Sequence, residues 1–113
     1  MTLFFSAAGL LALHAADTPQ FPGGQAALDK YLADNVKYPQ AAKDNGVEGI
    51  VNVEFVVHTD GTLGTIKSVR MIDPDLEQEA VRVVKNMPAW IPAEKNGSPV
   101  EASVQVNVPF VLE

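Results

Sequence analysis

The sequence predicts an α+β fold in which a small antiparallel three-stranded sheet carries a helix packed on one face. Three observations predict it. Residues 49–72 alternate apolar and polar side chains on both sides of Asp60-Gly61, the pattern of a β-hairpin. Residues 73–87 place Leu76, Ala80, Val83, Val84 and Met87 on one stripe of a helix, made to lie on a sheet. Residues 100–112 alternate again, with Val100, Ala102, Val104, Val106, Val108, Phe110 and Leu112 facing one way and Glu101, Ser103, Gln105 and Asn107 the other.

In chain order, residues 1–16 are apolar or small except for His14. The run is short of the roughly 20 residues a spanning helix needs, and Ala15-Ala16 suits a cleavage site. It is read as a signal peptide or a short membrane anchor, although no Lys or Arg precedes the apolar run. Residues 17–24 (DTPQFPGG) are turn-rich and read as a linker. The domain is then expected over 25–113. Ala27, Leu28, Tyr31, Leu32 and Asn35 recur at helical spacing, predicting a helix over 25–35. Tyr38-Pro39 breaks it, because the residue before a proline is pushed out of the α region. Pro39 can open one further helical turn, which Gly46 stops.

Within the hairpin, Val51, Val53, Phe55 and Val57 share one face of the first strand. The second strand, over about 63–72, has Ile66 and Ile72 on one face and Val69 and Met71 on the other, so its buried face stays open. The following helix has Asp73 as cap, Pro74 in its first turn, and Glu77 and Glu79 near its positive end. Asn96-Gly97 marks a turn. Trp90 and Phe110 are expected as core anchors. Pro109 inside the terminal strand cannot donate to a ladder, and so argues that this strand is a sheet edge.

Charge and composition exclude several functions. With 14 acidic against 8 basic residues and a net charge of -6, the surface repels phosphate, and no basic cluster offsets it. Nucleic acid is therefore not an expected partner. The absence of cysteine removes thiol catalysis, disulfides and Cys-based zinc sites. His58 lies at the hairpin tip without a second ligand at metal spacing, and no serine lies in a nucleophile elbow. No catalytic residue, metal site or cofactor is expected, and the chain does not read as an enzyme.

An ordered series of short motifs carries a resemblance. These are FPGG at Phe21 to Gly24, Tyr38-Pro39 with Ala42, the alternating run from Gly49 to Val57, and Asp60-Gly61. DP-x-L-x-x-EA from Asp73 to Ala80, MP-x-W-x-PA from Met87 to Ala93, NG-x-PV from Asn96 to Val100, and Pro109-Phe110 complete it. Together they resemble the TonB C-terminal domain, in the form common among Bacteroidetes-type energy transducers.

The resemblance implies a periplasmic module, exported or anchored to the inner membrane, that binds a segment of an outer-membrane TonB-dependent receptor as an added β-strand. It further implies coupling to an inner-membrane proton-channel complex if the chain is anchored. The expected partner-binding residues are Tyr38, Pro39, Glu101, Ser103, Gln105, Asn107 and Val108. Three departures stand against a complete transducer. The eight residues 17–24 reach at most about 30 Å, too little for a periplasm-spanning arm. Ser6 and His14 do not reproduce the family's Ser-x-x-x-His spacing. Ile91 follows Trp90 where a basic residue is usual. A free-standing exported domain that forms a homodimer through its edge strand is the alternative.

Overall fold

The computed structural model describes residues 17–70 and 72–112. The signal-peptide or anchor expectation for residues 1–16 falls outside them. The elements are α1 (Gln25–Asn35), α2 (Gln40–Asp44), β1 (Gly49–Val57), β2 (Leu63–Ser68), α3 (Pro74–Lys85), β3 (Ala93–Lys95), β4 (Ser98–Val100) and β5 (Ala102–Phe110). β2, β1 and β5 form one sheet in that order, with β1 antiparallel to both neighbours. The hairpin strand is therefore central, and α3 is the crossover between the two outer strands.

The core follows the alternation. Val51, Val53, Phe55 and Val57 of β1 and Val106, Val108 and Phe110 of β5 are buried on one face. Leu76, Ala80, Val83 and Val84 of α3 close over them, and Met87 completes the stripe. Asp73 caps α3, its carboxylate accepting from the Leu76 amide at 3.0 Å. Trp90, 5% exposed, stands edge-on to Phe55 at 5.2 Å and to Phe21 at 5.7 Å. Phe110 is equally part of the core.

β2 ends at Ser68, earlier than the alternation suggests, and a bulge explains why its buried face was illegible. Glu54 pairs with Lys67 but Val56 pairs with Gly64, so Thr65 and Ile66 together oppose Phe55. Thr65 takes φ 52°, and the extra residue shifts the parity, so Leu63 and Ile66 turn toward the core three positions apart. Beyond Ser68 the chain turns away, leaving Val69 and Ile72 exposed.

Glu77, read from the sequence only as helix-start charge, holds this corner. It is 8% exposed and accepts from the Ser68 hydroxyl at 2.8 Å and the Ile72 amide at 2.6 Å.

Residues 17–24 do more than link. Gln20 bridges Ile91 through two main-chain bonds of 2.9 and 2.8 Å, and Phe21 is buried against Trp90 and Tyr31. The packed body thus begins before α1. The loop after Trp90 forms a small hairpin, β3 with β4, around Asn96 and Gly97 at φ 55° and 82°. Glu101 separates β4 from β5, where the sequence suggested one continuous strand.

Candidate binding edge

Among the described residues, β5 has β1 on one side and no strand on the other, so its outer main chain is the candidate site. Its parity follows from one bond. Asn52 of β1 gives its carbonyl to the Val69 amide, on the β2 side, at 2.9 Å. Residues of an antiparallel strand turn both main-chain groups to one neighbour, and successive residues alternate. Asn52 therefore bonds away from β5, and its partner Asn107 belongs to a non-hydrogen-bonded pair. By the same alternation Ser103, Gln105 and Pro109 also turn their main chain outward, while Val104, Val106, Val108 and Phe110 bond to β1. Pro109 requires this parity independently, since at an inward position it would break the ladder. The edge thus offers three donors and four acceptors.

Ser103, Gln105 and Asn107 present exposed side chains from the sheet face opposite the core, and Asn52 Nδ2 donates to Asn107 Oδ1 at 2.7 Å. The other sequence-proposed residues do not join this row. Glu101 lies just before β5 and meets His58 Nδ1 at 2.7 Å, tying the start of the edge to the end of β1. Val108 is fully buried and its main chain faces β1. Tyr38 packs edge-on against Phe110 at 5.5 Å, and its hydroxyl donates to the Val47 carbonyl. Pro39 lies in a polar cleft with Lys37, Glu79 and Arg82, beside α3. Tyr38 is thus first an anchor at the end of β5.

Sequence reasoning missed the wall that faces the edge. A groove of about 650 Å³ runs between α1 and β5, with Leu28, Leu32 and Val36 on one side and Gln105, Val106 and Pro109 on the other. A second groove of about 280 Å³ shares Gln25, Leu28, Gln105 and Val106 and continues toward Val104, Phe21 and Trp90. Ile50, 56% exposed, lies at the far end. Leu28, Leu32 and Val36 fall at i, i+4 and i+8, but the helical spacing read from the sequence took in Leu28 and Leu32 without Val36.

α1 is held by polar contacts to α3. The Tyr31 hydroxyl donates to the Val83 carbonyl at 2.8 Å, and Arg82 Nη2 donates to the Asn35 carbonyl at 3.1 Å. Glu79 accepts from Arg82 through both oxygens, at 2.8 and 2.7 Å, and from the Lys37 amide at 2.7 Å. The Arg82 hydrogen bonds, helped by that amide, hold its carboxyl below the usual carboxylate range. Burial pushes the Tyr31 phenol up. Among the described residues no group of three His, Cys, Asp or Glu could hold a metal ion.

A three-stranded sheet crossed by one helix, with the last strand at a sheet edge, is the arrangement the motif series implied. The family model for the Gram-negative bacterial TonB protein C-terminal matches residues 34–112, more than half of the chain. The chain belongs to the TonB C-terminal family. Solved TonB domains share the fold. A solution structure of the Helicobacter pylori TonB C-terminal domain superposes with a TM-score of 0.59 at 21% identity, covering 75% of this chain and 77% of that one. The Pseudomonas aeruginosa TonB C-terminal domain gives 0.53 at 23% identity, covering 68% and 78%. No curated protein matches.

The TonB C-terminal family is an interaction domain linked to receptor engagement in energy-coupled transport, rather than an enzyme family. The match begins at residue 34, so nearly all of α1 lies before the part this TonB domain shares with the family model. No helix among the described residues is long and apolar enough to cross a membrane.

Proposed function

We propose that this TonB-type domain acts in the periplasm and binds an extended segment of an outer-membrane TonB-dependent receptor as a fourth strand along β5. The observation that carries the reading is the row of outward main-chain groups at Ser103, Gln105 and Asn107, set beside an open groove. An unpaired edge is a template for strand addition: main-chain bonds supply affinity and alternate pockets supply selection. Tyr38, Pro39 and Glu101 then frame the ends of the site rather than line it, and Val108 supports it from the core.

Titration of the isotopically labelled domain with peptides from candidate receptors tests this. The amides of Ser103, Gln105 and Asn107 should lose solvent exchange on binding, while the inward amides of Val104 and Val106 remain protected throughout. Saturable binding with no change along β5 would refute strand addition. Concentration-dependent dimerisation that protects the same three amides without peptide would show that the edge pairs with a second copy instead.

A further inference from the structure

We propose that α1 is the selecting wall of the edge groove and that it favours an extended peptide, apolar at alternate positions, with a Lys or Arg passing Asp29. This rests on the strand-addition reading and adds to it the chemistry of the guest. α1 precedes all but the first two residues of the family match, so that match assigns the wall no role.

The alternation follows from the sheet. Side chains of an added strand point alternately to its two faces. One set would lie level with Val104, Val106 and Val108, on the side where α1 sets Leu28 and Leu32, with Val36 just past its end. The other set would lie level with Ser103, Gln105 and Asn107, in a polar and hydrated setting. A guest fills the apolar side only if every second residue is apolar.

The charge preference follows from the lining. Among the described residues, Asp29 is the one ionisable residue on either groove, and no Lys or Arg lines them. Its exposed carboxylate accepts from the Gln25 side-chain amide at 2.9 Å and is in no ion pair among the described residues. The net charge of -6 disfavours an acidic guest in the same direction.

The full chain is titrated with three synthetic nine-residue peptides. The first alternates Val with polar residues around a central Lys, the second has the same composition with the alternation scrambled, and the third replaces Lys by Glu. The alternating peptide should bind on the order of ten- to a hundredfold more tightly than the scrambled one, the equivalent of one buried Val side chain. Lys→Glu should weaken binding about two- to fivefold, as for a partly exposed ion pair.

Asp29→Lys should reverse that last preference. Ala33→Trp, which fills the groove from an exposed helix position, should lose binding at least tenfold in a chain that melts like the parent. If the Ser103, Gln105 and Asn107 amides respond but neither variant changes affinity or peptide preference, the edge is used and the wall is not. If no peptide moves those amides, the strand-addition reading itself fails. A wild-type dimer that peptide does not displace would give the wall to a second copy and overturn the proposal.

Discussion

The parity of β5 makes proline a sharp probe, because the same residue placed one position apart should act on different properties. Gln105→Pro deletes an outward amide that bonds to nothing among the described residues. The preceding Val104 is already extended, as a pre-proline residue must be. Its stability cost should be below about 1 kcal/mol, since edge positions tolerate proline and Pro109 already occupies the same parity.

Val106→Pro instead deletes a bond to Val53, in the middle of the β1–β5 ladder. It leaves a buried carbonyl unpaired, worth about 1–3 kcal/mol, and replaces a buried Val, worth about 1.5–3 kcal/mol. A loss of roughly 3–6 kcal/mol is expected, or a drop of at least about 12 °C in Tm for a domain this size. Guest affinity should respond in reverse order of stability. Gln105→Pro leaves one acceptor of the guest unsatisfied at about 1–3 kcal/mol, a loss of about five- to 150-fold.

Thermal melts followed by peptide titration read both effects. Equal destabilisation by the two variants would refute the assigned parity. An unaltered affinity in folded Gln105→Pro would refute main-chain pairing at the centre of the edge.

Three further outcomes check the rest of the structure. Val84→Asp places an unpaired carboxylate at a fully buried position of α3, costing about 4 kcal/mol or more, and an unchanged melting curve would contradict the packing of that helix. Gly61 takes φ 89° and a Cβ there would collide with the Trp90 carbonyl, while the Trp90 amide donates to the Gly61 carbonyl at 2.9 Å. Gly61→Ala should therefore cost at least about 1–3 kcal/mol, which chemical denaturation measures. Glu79 has a depressed pKa in the folded state, so its contribution is present above the unfolded carboxylate value near about 4.3 and is lost as pH falls through the lower folded value. Wild type should lose stability on acidification more steeply than Glu79→Gln, and hydrogen exchange should place the loosening at α1. Parallel pH profiles would show that the clamp contributes nothing.

What the sequence determined by itself was whatever depends on neighbours a few residues apart. The two-residue period placed Val51 to Val57 inward, the helical stripe from Leu76 to Met87 chose the face of α3, and Asp60-Gly61 and Asn96-Gly97 fixed their turns. Pro109 marked the edge, because a missing N–H is tolerated only there.

Tertiary structure decided what depends on groups far apart in the chain. The bulge at Thr65–Ile66 overrode the period of β2, and Glu77 became the buried ligand of a corner rather than a surface charge. Phe21 left an apparent linker for the core because Trp90 and Tyr31 were there to receive it. The groove could not be read locally at all: its walls, α1 and β5, lie some seventy residues apart, and the space between them exists only once Arg82, Glu79 and Tyr31 have fixed α1 against α3. Local periodicity says which face of an element is apolar, but only packing decides how much of that face stays uncovered.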